Sequence, residues 1–237
     1  KTNLSILLAQ SFDTEILSCD SRQFYKEMNI GTAVPSEEEL LTIKHHFIQN
    51  RSIFDDYSVG AFENDTIDLL DDLFKKRSTM IMVGGSGLYV DAVTKGLDDF
   101  PKVDPEIREQ LKDDLKNLGI EALQKRLAVL DPLTYNQIDL QNQQRLIRAL
   151  EISIGTDHPF SHFRTSKLKK RSFKNIKIGL EAEREIVYKR INQRVDQMIK
   201  NGLVEEAKKL YPFRHLNALQ TVGYRELFAH FDGTLTL

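Results

Sequence analysis

Apolar residues in the first hundred positions follow two alternating periodicities. Leucines at helical spacing predict a helix over Thr2 to Phe12, and a longer amphipathic helix is predicted over about Val59 to Lys76. Short apolar runs predict strands over Glu15 to Ser18 and over Met80 to Val83. Helices that alternate with short buried strands are typical of a parallel sheet, so this region predicts an α/β fold.

The pattern becomes purely helical from Val103 onward. Asp104-Pro105-Glu106 has the order of N-cap, first helical residue and first-turn acid, and it predicts a helix to about Leu118 that Gly119 ends. Further helices are predicted over Glu121 to Leu130, from Asp131-Pro132 onward, and over Gln143 to Ile154.

The α/β pattern returns near the end of the chain. Apolar residues predict a strand over Ile176 to Leu180, and a long helix is predicted over about Arg184 to Asn201. The sequence therefore predicts an α/β core formed by residues 1–102 and 173–237, interrupted by an all-helical insertion at residues 103–172.

Composition narrows the class of protein. With 237 residues, 41% of them hydrophobic and 29% charged, the chain can bury a sizeable core. No apolar run approaches the roughly 18 residues of a membrane span and no signal peptide opens the chain, so we expect no membrane association.

The single Cys19 fits a reducing cytoplasm and is predicted to be a small buried strand residue. His45 and His46 are predicted to be structural, because adjacent strand residues face opposite sides.

The net charge of −2 conceals an uneven distribution. Residues 1–100 carry 9 Lys and Arg against 17 Asp and Glu, a net charge of −8, whereas residues 140–180 carry 9 against 2, a net charge of +7. A basic cluster is expected on a surface that meets a polyanion, although a solvated loop would have the same composition.

Candidate chemistry is concentrated where the predicted strands end. Lys1-Thr2 opens a helix, as do the last two residues of a phosphate-binding loop, in which Lys neutralises phosphate and the hydroxyl coordinates Mg²⁺. Asp20 follows one strand, and Gly84-Gly85-Ser86-Gly87 follows another. Ligands of parallel sheets bind beyond the carboxyl ends of the strands, so Asp20 and Ser86 should converge there with Lys1 and Thr2.

Several motifs, taken together, resemble one family. They are Asp20-Ser21-Arg22-Gln23 with Tyr25, Ile30-Gly31-Thr32-Ala33, His45-His46, Gly84-Gly85-Ser86-Gly87-Leu88-Tyr89, Gln144-Arg145-Leu146-Ile147-Arg148-Ala149-Leu150-Glu151 and Leu219-Gln220-Thr221-Val222-Gly223-Tyr224. In this order they resemble bacterial tRNA dimethylallyltransferases. Ser86 stands where that family usually has Thr, and we expect family segments to be missing at both ends of the sequence.

The resemblance implies a P-loop NTPase-like core and transfer of a dimethylallyl group from dimethylallyl diphosphate to N6 of adenosine 37 of tRNA. It also implies Asp20 as the base, Ser86 at the adenine, and a diphosphate held by Lys1, by Thr2 through Mg²⁺, and by an Arg of the last long helix. Arg184, Arg190 and Arg194 lie near one face of that helix, and we select Arg194.

The resemblance further implies that the protein contacts tRNA and that it acts as a monomer in the cytoplasm. The residues implied are Asp20, Ser21, Arg22, Gln23 and Ser86 around the base, and Arg108, Gln144, Arg145, Leu146, Ile147 and Arg148 from the insertion.

Two other functions use the same residues. A small-molecule P-loop kinase would use Lys1 and Thr2 on phosphate and Asp20 as the base for a hydroxyl. A non-catalytic RNA-binding module would need only the basic insertion. Diphosphate release, ADP formation, or tRNA binding with neither would separate the three functions.

Overall fold

The structure, a computed structural model, describes residues 1–165 and 167–236. Its chain divides into two compact units. Unit 1 comprises Lys1–Thr94 and Arg171–Leu237, and unit 2 comprises Lys95–Lys170.

The first part of unit 1 is an α/β layer. In chain order its elements are α1 (Thr2–Ser11), β1 (Ile16–Ser18), α2 (Glu37–Thr42), β2 (His45–His46), α3 (Val59–Leu73), β3 (Ile81–Val83) and α4 (Gly87–Lys95). The three strands form a parallel sheet in the order β2-β1-β3. The predicted α/β fold and the first two predicted strands are therefore confirmed, each strand beginning one residue later than predicted.

Residues of β1 alternate between two cores, which is why this short strand is apolar throughout. Ile16 packs with Ile6 and Ala9 of α1 on one face of the sheet. Leu17 joins a second cluster on the other face, where Phe24 and Phe62 are fully buried. Burial on both faces explains the continuous apolar runs that predicted these strands.

Unit 2 is helical in all its described elements. They are α5 (Pro105–Leu118), α6 (Ile120–Leu130), α7 (Pro132–Tyr135), α8 (Gln143–Thr156) and α9 (Phe160–Phe163). The Asp104 side chain caps α5 by accepting a hydrogen bond from the Glu106 amide, and Gly119 follows the helix with a φ of +80°. Both predicted ends of this helix are therefore confirmed.

The boundary of unit 2 differs from the predicted one, because residues 95–102 contact the helical unit. The Lys169 amide donates to the Lys95 carbonyl at 2.8 Å, and Lys169 Nζ pairs with Asp99 at 2.8 Å. Phe100 stacks on Phe160 with ring centroids 4.7 Å apart. Residues 95–102 therefore belong with the helical unit rather than with the α/β core.

The chain then completes unit 1 with helices. They are α10 (Arg184–Lys200), α11 (Leu203–Leu210), two 3₁₀ turns (Tyr211–Phe213 and Asn217–Leu219) and α12 (Tyr224–Phe231). Tyr224 and Phe228 are buried in their common core, as predicted.

The predicted strand at Ile176 to Leu180 is wrong. These residues lie in neither helix nor strand, and Ile176, Ile178 and Leu180 are 90%, 69% and 54% exposed. An alternating apolar pattern forms a strand only against a partner, and in the described part of the chain no strand pairs with this segment.

None of the described helices is long and apolar enough to cross a membrane.

Candidate functional site

A cavity of about 300 Å³ opens in unit 1 where β1 and β3 end. Its lining residues come from the start of α1, the ends of β1 and β3, the loop before α2, β2 and α10. They are Lys1, Thr2, Ser18, Asp20, Gln23, Thr32, Ala33, Pro35, His45, Ile48, Val83, Gly84, Gly85 and Arg194. The predicted convergence of Lys1, Thr2 and Asp20 is therefore present in the structure, together with Arg194.

The cavity contains two cationic side chains from distant parts of the chain. Lys1 Nζ lies 3.5 Å from the carbonyl oxygen of Gly84, beside the end of β3. Arg194 reaches the cavity from the middle of α10, whereas Arg184 and Arg190 of the same helix do not line it. Two cations in a small cavity favour an anionic ligand.

Asp20 is held by the turn that follows β1. Its Oδ1 accepts a hydrogen bond from the Arg22 amide at 3.0 Å, and its own amide lies 3.4 Å from Ser18 Oγ. Within residues 1–165 and 167–236, no donor bonds to Asp20 Oδ2. The local turn therefore fixes the carboxylate and leaves one oxygen for a ligand.

Cys19 and Gly84 bring the two strand ends together. A Cβ on Gly84 would lie 2.5 Å from Cys19 Sγ, so only glycine fits at this approach. Burial, reinforced by the Asp20 charge, raises the pKa of the Cys19 thiol to about 11. Cys19 is therefore a buried structural thiol, as predicted.

Ser86, Ser21 and Arg22 do not line the cavity. The Ser21 amide donates to Ser86 Oγ at 3.0 Å, and Ser86 Oγ donates to Ser21 Oγ at 3.1 Å, which ties the two strand-end loops together. Arg22 Nη1 donates to the Asn217 carbonyl at 3.0 Å. In this structure these predicted site residues hold the loops that carry Asp20.

Gln23 lines the cavity, but its amide is used inside the protein. Its Nε2 donates to the carbonyls of Thr32 and Ala33 at 3.1 and 3.0 Å, and its Oε1 accepts from Ser18 Oγ at 3.1 Å. This arrangement differs from the predicted base contact, because Gln23 instead fixes the loop at Thr32 and Ala33.

The predicted RNA-binding cluster lies within unit 2 and is built around one carboxylate. Glu151 is 7% exposed, and its Oε2 accepts from Arg108 Nη1 at 2.7 Å and lies 3.2 Å from Arg148 Nη1. Arg108 Nη2 also donates to Gln144 Oε1 at 3.3 Å, and the Arg148 guanidinium lies 5.6 Å from the Phe100 ring centroid. One buried anion therefore orients two partly exposed cations, which leaves a net positive charge.

Leu146 and Ile147 are a correction to the predicted RNA contacts. Their exposed fractions are 0% and 2%, and they pack in the core of unit 2 with Leu111 and Leu127. Their side chains therefore hold α8 in place, whereas Arg145 on the same helix is exposed.

The two histidines of β2 differ in their bonding. His46 Nε2 bonds to Glu15 Oε2 at 2.6 Å, so this residue is structural, as predicted. His45 Nδ1 bonds to the Ile43 carbonyl at 2.8 Å, and His45 lines the cavity, which the sequence did not predict. Across the described ranges, no three His, Cys, Asp or Glu side chains gather as a metal site.

A parallel sheet with two cations, a hydroxyl and a carboxylate in one crevice at its strand ends has the ligand-site arrangement that is typical of α/β enzymes. The family model described as IPP transferase matches residues 23–237, which is most of the sequence. The chain therefore belongs to the IPP transferase family.

Individual relatives agree with the family. The tRNA dimethylallyltransferase of Christiangramia forsetii is 61% identical over 237 residues, which is 100% of this chain and 78% of the relative. The tRNA dimethylallyltransferase of Flavobacterium johnsoniae is 55% identical over 243 residues, covering 100% and 79%.

Solved structures agree as well. The full-length tRNA isopentenylpyrophosphate transferase of Bacillus halodurans matches with a TM-score of 0.66 and 36% identity, over 100% of this chain and 75% of that one. A eukaryotic dimethylallyltransferase acting on tRNA matches with a TM-score of 0.77 and 25% identity, over 98% and 60%.

Proposed function

We propose that this enzyme transfers a dimethylallyl group from dimethylallyl diphosphate to N6 of adenosine 37 in tRNA, next to the anticodon. Family membership and the names of the relatives support tRNA prenylation over the kinase and the RNA-binding module. The observation that carries the proposal is the cavity in which Lys1, Arg194 and Asp20 meet.

Stabilisation of the leaving group starts the reaction. N6 of the adenine attacks C1 of the allyl group as the bond from C1 to the diphosphate oxygen breaks. Lys1 and Arg194 bind the diphosphate and stabilise the charge that grows on it, an effect of fixed cations that is strongest where water is excluded. The diphosphate leaves with the electron pair of the broken bond.

Proton transfer to Asp20 completes the step. N6 is a weak nucleophile and carries an extra proton once the C–N bond forms, and Asp20 accepts that proton. A positioned general base contributes roughly 10²- to 10⁴-fold. Ser86 exchanges its bond with Ser21 for one to the adenine, and Ser21 and Arg22 hold the turn that carries Asp20.

The site fits Mg²⁺ as the metal. Thr2 lines the cavity beside Lys1 and would hold Mg²⁺ through its hydroxyl, as the last residue of a phosphate-binding loop does, with substrate phosphates and water as the other ligands. A dedicated cage of ligands is therefore not required. When bound, Mg²⁺ neutralises charge on the diphosphate.

Recognition of tRNA rests on unit 2 in this proposal. Arg108, Arg145 and Arg148 contact the phosphates of the anticodon stem-loop, with Gln144 beside them. Modified bases are extruded into a pocket, and a base in a single-stranded loop is extruded at lower cost than one in a duplex.

The finer assignments complete the proposal. Unit 1 is a P-loop NTPase-like core, unit 2 is the tRNA-contacting insertion, and the enzyme acts as a monomer in the cytoplasm. The small parallel sheet and the single buried Cys19 are consistent with these assignments.

The test is to incubate the protein with tRNA, dimethylallyl diphosphate and Mg²⁺, and to measure tRNA mass and released diphosphate. We expect tRNA to gain one dimethylallyl group on the adenosine beside the anticodon, with one diphosphate released per group. ADP formation from ATP and a small alcohol would support the kinase instead. Tight tRNA binding with neither product would overturn the proposed reaction.

A further inference from the structure

We propose that Glu206 is a positioning residue of the active-site cavity and acts through the loop at residues 29–33. The inference rests on the proposed function only for the identity of the donor. Glu206 lies on α11, outside the cavity, and it belongs to none of the motifs that carry the family resemblance.

The Glu206 carboxylate binds three consecutive backbone amides of this loop. Oε2 accepts from the amides of Asn29 and Ile30 at 3.1 and 2.9 Å, and Oε1 accepts from the Gly31 amide at 3.0 Å. Hydrogen bonds to a charged acceptor are stronger than neutral ones, and consecutive amides form a concave anion site. Glu206 therefore holds the loop from outside the cavity.

Tyr224 contacts both Glu206 and the loop that Glu206 binds. Its hydroxyl donates to Glu206 Oε1 at 2.6 Å, and a Cβ on Gly31 would lie 2.6 Å from its ring. Burial, and then the hydrogen bond to the Glu206 carboxylate, raises the pKa of Tyr224, so the phenol remains a donor at any ordinary pH. This contact gives a physical reason why Gly31 and Tyr224 both occur in the sequence.

The other end of the loop forms the cavity wall. Thr32 and Ala33 line the cavity, and Gln23 Nε2 bonds to the carbonyls of both. Ala33 has a φ of +51°, a left-handed conformation that costs energy for a residue with a Cβ. The loop is therefore held in a strained shape from two sides, by Gln23 and by Glu206.

Removal of the Glu206 charge should relax this wall. In Glu206→Gln, the side-chain NH₂ group faces amides that need an acceptor, so part of the hold on the loop is lost. The cavity at Thr32 and Ala33 then loses its shape, while the basic cluster of unit 2 is unchanged. The expected consequence is weaker binding of the small donor with unaltered binding of tRNA.

The experiment compares Glu206→Gln with Glu205→Gln, which removes the same charge from the exposed neighbouring position of α11. For Glu206→Gln we expect KM for dimethylallyl diphosphate to rise roughly tenfold, as for a lost charged hydrogen bond, with tRNA Kd within about twofold. Glu205→Gln should match the wild type. Tyr224→Phe removes one bond and keeps the ring, so a rise of about two- to threefold is expected.

A second variant separates positioning from stability. Gly accepts a positive φ without strain. Adding Ala33→Gly to Glu206→Gln should therefore lower the raised KM for the donor part of the way back to the wild-type value. A donor KM equal to that of the wild type in Glu206→Gln, with only a lower Tm, would overturn the inference.

Hydrogen exchange of residues 29–33 provides a readout that does not depend on the reaction. If the wild type transfers no prenyl group, the proposed function fails, yet faster exchange in Glu206→Gln than in Glu205→Gln still supports the hold on the loop. Equal exchange in the two variants would refute it.

Discussion

The Cα of Gly84 lies so close to Cys19 that an added Cβ would stand 2.5 Å from the sulfur and 2.7 Å from the carbonyl carbon. This close approach lies where the ladder of β1 and β3 ends, next to the hydrogen bond from the Cys19 amide to the Val83 carbonyl, and Lys1 and Asp20 line the cavity beside it. The geometry of the site therefore depends on the absence of one side chain.

Substitution of Gly84 by Ala should destabilise the protein by about 1–3 kcal/mol, because overpacking forces the strand ends apart. Gly85→Ala is the matched control, since a Cβ at Gly85 meets nothing within 4 Å. Chemical denaturation of the two variants measures the difference. Equal stability of the two would show that the strand ends separate without cost.

Asp20→Asn should lower kcat by at least roughly 10²-fold, because the amide cannot accept the N6 proton. Binding of tRNA should stay within a few fold, which gel-shift titration measures. Asp56→Asn, at an exposed position, is the control for loss of a negative charge. Full turnover in Asp20→Asn would refute its assignment as the base.

Arg194→Ala should raise the donor KM by roughly 10- to 100-fold, the usual cost of a charged hydrogen bond of about 1.5–3 kcal/mol. Arg190→Ala on the same helix should have little effect, because Arg190 does not line the cavity. Steady-state kinetics with varied dimethylallyl diphosphate distinguishes them. If Arg190→Ala has the larger effect, the diphosphate binds elsewhere along α10.

Arg148→Ala should weaken tRNA binding and reduce the slope of log K against log salt by about 0.7–0.9, the value for one phosphate contact. Arg126→Ala is the control in unit 2, where Arg126 lies 3.4 Å from Asp114. Binding is measured at several salt concentrations. An unchanged slope in Arg148→Ala would move the phosphate contact to another residue.

Asp131 should make unit 2 sensitive to acid. Burial alone would raise the pKa of this carboxyl, but hydrogen bonds from Thr134 and Ser161 outweigh burial and hold the pKa below its ordinary value. The folded state then binds protons less readily than the unfolded state, so the stabilisation is complete above the ordinary pKa and disappears as pH falls through the lowered one.

Thermal unfolding across acidic pH measures this effect. Asp131→Asn should be less stable at neutral pH by about 1–3 kcal/mol, because its NH₂ group opposes amide donors. It should also lose less stability than the wild type on acidification. Parallel pH curves for the two proteins would contradict the assignment to Asp131.

Local chemistry was predictable from the sequence, whereas distant partners were not. Asp104-Pro105 identified the start of α5, because a helix cap depends on adjacent residues. The role of Gln23 depends on the carbonyls of Thr32 and Ala33, which only the folded loop brings to it.

Two errors have physical causes. Leu146 and Ile147 lie on the apolar face of α8 with Ala149 and Leu150 and pack in the core of unit 2, whereas the motif resemblance implied RNA contact. The segment 176–180 alternates as a strand does, but alternation does not supply a partner.

The cavity brings together Lys1 beside the start of α1, Asp20 from the turn after β1 and Arg194 from α10, with the whole of unit 2 between the last two in sequence. During synthesis on a ribosome, the nascent chain lacks Arg194 until the helical unit has been translated. The cavity proposed to bind the donor is therefore completed late, after the segment proposed to hold tRNA has been translated.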